Sequence, residues 1–142
     1  MAVAVLDADV LIAYLGRDDA NHGEAVARMR RALAPGTRRL ISAVNYTEVL
    51  IGPLLKHGIP GAETVEAMLV HLNIETIVVD MDLARRAAAV RARTRLKLPD
   101  AYALATAIHA EKRGNAEVRL ETFDAKVIRA YKELHPLSAE LD

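Results

Sequence analysis

Ala2-Val3-Ala4-Val5-Leu6-Asp7 sets five apolar residues in unbroken succession and then a carboxylate. A continuous apolar run of that length reads as a strand buried on both faces, the situation of a parallel sheet. In open α/β sheets the chemistry gathers in the crevice beyond the carboxyl ends of such strands. Asp7 stands at that exit.

Further along the chain, short apolar runs alternate with amphipathic segments, with no repeat and no low-complexity tract. Strands are predicted at 2–6, 39–41, 76–79 and 118–123. Helices are predicted at 21–34, stopped by Pro35-Gly36, and from Ser42 to a stop at Gly58. Others fall at 62–72, at 82–95 with Asp82 as its cap, from Pro99-Asp100 to before Gly114, and at about 125–133. The alternation predicts a three-layer α/β/α sandwich around a mainly parallel central sheet. With 142 residues, 52% of them hydrophobic, one core and a single domain over 1–142 are expected.

Composition narrows the chemistry. There is no cysteine, which excludes disulfides, thiolate zinc sites and thiol catalysis and fits a reducing compartment. The apolar N-terminus lacks a basic leader and is broken by Asp7 and Asp9, and no stretch spans a bilayer, so a soluble cytoplasmic protein with no membrane partner is expected. Net charge is zero, but its distribution is uneven. Between Met81 and Pro99, six cations (Arg85, Arg86, Arg91, Arg93, Arg95, Lys97) face the single acid Asp82, a local excess of +5 leading into Asp100. A solvated helix face and a phosphate-binding face explain this equally well.

Four acids occupy positions where an unpaired carboxylate needs explaining. Asp7 directly follows a buried strand and is favoured as a site residue over a cap for the next helix, with Asp9 the better cap. Glu48, on a helix from Ser42, shares a face with Val44, Ile51 and Leu55 and is expected to point where apolar side chains point, a buried Arg or Lys partner being the alternative. Asp100 follows Leu98-Pro99 at a helix start, where dipole and chemistry explain an acid equally well. Asp124 ends the last strand and precedes the last helix, so it is a site residue or a cap, and the Thr122 hydroxyl is placed to orient a neighbouring carboxylate. Asp80 and Asp82 are explained by capping.

The sequence has no Gly-x-Gly-x-x-Gly, no P-loop, no Gly-x-Ser-x-Gly elbow and no His-Glu-x-x-His, and its histidines at 22, 57, 71, 109 and 135 share no ligand spacing. An all-oxygen acidic site suits Mg²⁺ or Mn²⁺.

The ordered set Val5-Leu6-Asp7-Ala8-Asp9, Ser42-Ala43-Val44-Asn45-Tyr46-Thr47-Glu48, Leu98-Pro99-Asp100-Ala101 and Thr122-Phe123-Asp124 resembles the four acidic motifs of PIN domains over essentially the whole chain. The resemblance implies a metal-dependent endoribonuclease, and at this size a VapC-type toxin of a toxin–antitoxin pair. Asp7, Glu48, Asp100 and Asp124 would then form the catalytic and metal-binding site, with RNA as substrate and a cognate antitoxin as partner. It also implies a homodimer held by N-terminal helices, to which Leu11, Ile12, Leu15, Val26 and Met29 offer apolar faces. Arg93, Arg95 and Lys97 would position the RNA backbone. Two departures stand out: an acid at position 9, where the family commonly has Ser, Thr or Asn, and the bulky Phe123.

Two other readings stay open. Asp7-Ala8-Asp9-Val10-Leu11 also resembles the opening motif of haloacid-dehalogenase-like phosphatases, with Asp7 as nucleophile, although the closing Gly-Asp-x-x-x-Asp element is missing. A non-catalytic PIN module that binds RNA or a protein is the third.

Overall fold

The computed structural model describes residues 1–114 and 117–134; His135 and the rest of the C-terminus lie outside the described residues. In chain order the elements are β1 (Ala2–Leu6), α1 (Ala8–Leu15), α2 (His22–Ala32), β2 (Thr37–Ser42), α3 (Ala43–His71), β3 (Ile74–Ile77), α4 (Met81–Thr94), α5 (Leu98–Lys112), β4 (Glu117–Glu121) and α6 (Ala125–Leu134). The strands form a parallel sheet in the order β3-β2-β1-β4. The predicted α/β class and parallel sheet are found.

β1 lies between β2 and β4, and its apolar run is divided by the pleat. Ala4 and Leu6 pack with Leu11, Met29, Ile41 and Val65 on the side of α1, α2 and α3. Val3 and Val5 join Leu40 and Ala107 on the other side, where α4, α5 and α6 lie. Both faces are covered, which is why the strand reads as continuous rather than alternating. The chain builds outward from β1 through β2 to β3 and then returns to β4 on the opposite flank of β1. The order therefore reverses between β1 and β4, and a crevice opens at their carboxyl ends.

Strand boundaries shift from those predicted. The third runs 74–77 rather than 76–79, because its last pairing is Ser42↔Ile77 and β2 ends there by turning into α3. Val78 and Val79 have the residue types of a strand but no partner strand, and they are exposed. The fourth ends at Glu121, opposite Leu6, so Thr122 and Phe123 follow the ladder.

The caps are also corrected. Asp7, not Asp9, is the N-cap of α1, its Oδ1 accepting from the Ala8 N–H at 2.8 Å. Asp80, not Asp82, caps α4 by accepting from the Leu83 N–H, while exposed Asp82 pairs with Arg85. The stop predicted at Gly58 is borne out: α3 is two helical halves that meet at a sharp, non-helical kink there, with φ +67° at that glycine. Beyond it the chain folds back so closely that a Cβ at Gly61 would meet the Pro53 carbonyl oxygen at 2.6 Å. The two halves of α3 touch through a position only glycine fits.

Of the apolar residues expected to offer a dimer face, Leu11 and Met29 are fully buried in the core and Leu15 packs against it. Ile12 is the exposed one of that set.

Candidate active site

The Asp7 side chain is 3% exposed at the exit of β1. Its backbone N–H donates to the Glu121 carbonyl at 2.9 Å, extending the β1–β4 ladder by one bond. Its Oδ2 accepts from the Thr122 hydroxyl at 2.8 Å, as the sequence suggested for that threonine. Asp9, in the first turn of α1, reaches across the same seam: its Oδ2 accepts from the Phe123 N–H at 2.9 Å and from Thr122 Oγ1 at 3.4 Å. Thr122 Oγ1 in turn accepts from the Asp124 N–H at 3.1 Å. One hydroxyl thus links Asp7, Asp9 and Asp124 at the reversal of strand order.

Glu48 arrives from α3. The face it shares with Ile51 and Leu55 is not a core face, since Leu55 is 82% exposed. Its described partner is a buried amide, not a cation: the Asn45 side-chain NH₂ donates to Glu48 Oε1 and to the Pro99 carbonyl, both at 3.0 Å. Asn45 Oδ1 accepts from the Ser42 hydroxyl at 2.6 Å, and Ser42 Oγ caps α3 by accepting the Asn45 N–H. Asn45 therefore sets the carboxylate of α3 against the start of α5, one residue before Asp100. Sequence reasoning passed over it; a polar residue three before Glu48 on the same helical face was the available signal.

Asp124 Oδ1 accepts from the Lys126 N–H at 2.8 Å, so it caps α6 while also bordering the cluster. The cap and site explanations of Asp7 and Asp124 are not exclusive.

Electrostatics join these acids into one group. Burial, followed by the neighbouring charges of Asp9 and Asp100, pushes the Asp7 carboxyl up to about 7 against the opposing hydrogen bonds from Thr122 and Ala8. Asp9 is raised by burial and more weakly by Asp124, opposed by the N–H groups of Phe123 and Val10. Asp100 is raised by burial and by Asp124, Glu48 and Asp9, with Lys97 opposing. Asp9 Oδ1 is buried with no hydrogen-bond partner. Buried carboxylates that repel one another and leave an acceptor unused have the donor chemistry of a hard divalent cation site. The cluster is open: among the described residues no three acids or histidines are already at the spacing of a metal shell.

A cavity of about 650 Å³ adjoins the acids, lined by Asp100 and Asp124 together with Arg93, Arg95, Lys97, Lys126 and Arg129. A second, of about 780 Å³ and largely apolar, lies between α1 and α3, lined by Ile12, Leu15, Val65 and Met68 and also by Glu48.

Behind the seam sits an ion cluster that sequence reading missed. Glu121 is 2% exposed; its carboxylate receives Arg31 in a two-pronged contact at 2.8–3.2 Å and Arg28 Nη1 at 3.3 Å. Arg28 also donates to the Thr122 carbonyl at 3.1 Å, and its guanidinium lies 5.2 Å from the Phe123 ring centroid. The glutamate sits in an otherwise strand-like run; its hydrogen-bonded partners lie some ninety residues earlier, and Arg119 Nε of its own strand stands 3.9 Å away.

Residues 4–134 match the family model described as PIN domain. No curated protein sequence matches the chain significantly. Among solved structures, VapC20 of Mycobacterium tuberculosis, a toxin that cleaves the sarcin-ricin loop, superimposes with a TM-score of 0.66 at 21% identity, covering 90% of this chain and 94% of that one. A toxin–antitoxin complex from Klebsiella pneumoniae gives 0.65 at 28% identity, with 90% of each chain covered. VapBC-1 of nontypeable Haemophilus influenzae gives 0.65 at 14% identity, with 94% of each covered.

Proposed function

The chain belongs to the PIN-domain family, and from that premise we propose that it is a divalent-metal-dependent endoribonuclease acting as the toxin of a toxin–antitoxin pair. What supports this reading is the electrostatic coupling of the acids beside the strand-order reversal, where Asp100 feels the charges of Asp124 and Glu48, and Asp7 that of Asp100.

Asp7, Glu48, Asp100 and Asp124 would hold Mg²⁺ or Mn²⁺. Such an ion, when bound, activates water for attack on a phosphodiester and neutralises charge on the leaving oxygen. The chain's own residues prepare that chemistry. Thr122 fixes the rotamer of Asp7, Asn45 fixes that of Glu48, and the short apolar helix face from Ala101 to Ile108, buried against the sheet, holds Asp100 in place. Lys97 lies close enough to Asp100 to offset its charge.

The phosphatase alternative is disfavoured by motif and by family. The chain lacks the closing Gly-Asp-x-x-x-Asp element, and residues 4–134 match the PIN-domain model instead. A non-catalytic module is the second reading, favoured by the open spacing of the acids.

The partner proposed is an antitoxin polypeptide, supported by the toxin–antitoxin complex from Klebsiella pneumoniae. The apolar cavity between α1 and α3 is the surface such a segment would cover. Self-association into a homodimer is proposed alongside it, with exposed Ile12 of α1 as a contact.

The deciding experiment incubates the purified chain with RNA and Mg²⁺ or Mn²⁺, beside a folded Asp7→Asn variant. Ion-dependent cleavage lost in the variant is expected. Equal cleavage by both proteins removes Asp7 from the site, and ion binding with no cleavage of any RNA by the wild type leaves the non-catalytic module.

A further inference from the structure

The basic excess between Met81 and Pro99 divides into residues that build the fold and residues left facing the cavity. Arg85 is paired with Asp82 on the exposed face of α4. Arg91 turns back on its own helix end, donating to the Arg95 carbonyl at 2.7 Å and to the Leu96 carbonyl at 2.6 Å. These two bonds, with the Arg95 N–H donating to the Arg91 carbonyl at 2.8 Å, close the α4–α5 connection into a fixed loop. Leu96 anchors it from below, almost fully buried among α4, α5 and α6.

On that loop Arg95 adopts φ +60° and ψ +19°, the left-handed conformation that favours glycine at the end of a helix. A residue with a Cβ is under strain there, and its side chain lines the cavity beside Asp100 and Asp124. Lys97 follows on the same wall, and Lys126 and Arg129 enter from α6, three residues apart and so on one helical face. Two separate elements thus bring cations to one cavity that Asp100 and Asp124 also line. Glu133 is the one lining acid apart from Asp100 and Asp124.

We propose that Arg95, Lys97, Lys126 and Arg129 form a phosphate-binding subsite that holds the backbone of single-stranded RNA on one side of the cleavage centre. The proposal rests on the ribonuclease reading and specifies where its substrate lies. A polyanion carrying a charge at every nucleotide can leave one phosphate at the acid cluster and set its neighbours on the cations. An acidic peptide would bring its carboxylates against Asp100, Asp124 and Glu133. The contacts are to phosphate, so the subsite gives affinity and direction without reading bases.

The test measures binding of a fluorescein-labelled oligouridylate by anisotropy over a series of potassium chloride concentrations, with chelator present so that nothing is cut. Each lost phosphate contact lowers the salt dependence of a single strand by about 0.7 in the slope of log K against log salt. Lys126→Ala with Arg129→Ala should lower it by about 1.4. Arg95→Gly should lower it by about 0.7 while its melting temperature stays level or rises, because glycine relieves the left-handed strain. That separates lost binding from lost folding. Unchanged slopes in both variants, no RNA binding by the wild type, or stronger competition by poly-glutamate than by unlabelled RNA would each overturn the subsite. Cleavage by the wild type with Mn²⁺ is scored separately. Binding with reduced variant slopes but no cleavage retains the subsite and defeats the nuclease reading, whereas cleavage with unchanged slopes does the reverse.

Discussion

The Thr122 hydroxyl donates to Asp7 Oδ2 at 2.8 Å, joining the residue that leaves β1 to the segment that leaves β4. The same oxygen accepts the Asp124 N–H, so a single side chain registers the first acid of the chain against the last. Thr122→Val keeps the shape and removes both bonds. A hydrogen bond to a charged group contributes about 1.5–3 kcal/mol, so cleavage should fall roughly 10- to 100-fold, and Thr122→Ser should restore most of it. Single-turnover rates for the three proteins decide this; full activity in the valine variant would show the hydroxyl to be incidental.

Asn45 makes a parallel claim on the other side of the cluster. Its amide is fully buried and bonded to Ser42, Glu48 and the Pro99 carbonyl. Asn45→Ala should lower stability by about 1–3 kcal/mol, because Pro99 and Ser42 lose their partner away from water. Asn45→Asp keeps the size but replaces the donor facing Glu48 by a like charge. Its cleavage rate should therefore drop more than its stability alone explains. Equal losses of rate and stability in the two variants would assign Asn45 to folding only.

The Glu121 cluster is asymmetric. Arg31 is half-exposed and Arg28 partly so, whereas Glu121 is buried. Removing Arg28 and Arg31 leaves the buried carboxylate, among the described residues, with only the longer contact from Arg119 Nε at 3.9 Å, while neutralising the carboxylate leaves cations that water can reach. Arg28→Ala with Arg31→Ala should cost roughly 3–5 kcal/mol in urea unfolding, and Glu121→Gln clearly less. The reverse order would mean that the arginines stabilise through their stems and not through the pair.

These clusters mark where the sequence was legible and where it was not. The run from Ala2 to Leu6 showed its strand and sheet type because burial on both faces leaves a continuous apolar signal. Asp7, Asp100 and Asp124 were singled out because each follows a strand or heads a helix, positions visible in one dimension, whereas Glu48 was singled out for an apolar helical face that proves exposed. Asn45 and Glu121 were not found, because their meaning lies in partners such as Pro99 and Arg31 far away in sequence. Val78 and Val79 misled for a related reason: strand propensity is local, whereas pairing ends where the neighbouring strand ends. The capping error had another origin, since one carboxylate has two oxygens and Asp7 uses one as a cap and the other within the cluster.

The last prediction joins pH, stability and metal. The Asp7 carboxyl, 3.8 in the unfolded chain, is raised to about 7 by folding. The folded state therefore holds the proton more tightly, and stability from this group is fully present below pH ~4 and lost as pH rises through ~7. The penalty above that range is roughly 4 kcal/mol. Asp7→Asn carries no such charge, and the Thr122 hydroxyl can reverse to accept from the new amide. The stability of wild type minus variant, measured by urea unfolding with chelator at steps from pH ~4.5 to ~8.5, should fall up to about pH 7, level off above it and favour the variant at the alkaline end. A divalent ion acts in the opposite direction, because it binds the ionised folded cluster. At about 100 times its dissociation constant it adds ~2.7 kcal/mol to the wild type, more at pH 8 than at pH 5. In the variant that gain should shrink together with the pH dependence. A wild-type-minus-variant difference that is flat across pH, with equal Mn²⁺ responses in the two proteins, would show that Asp7 serves α1 as a cap and contributes nothing to ion binding.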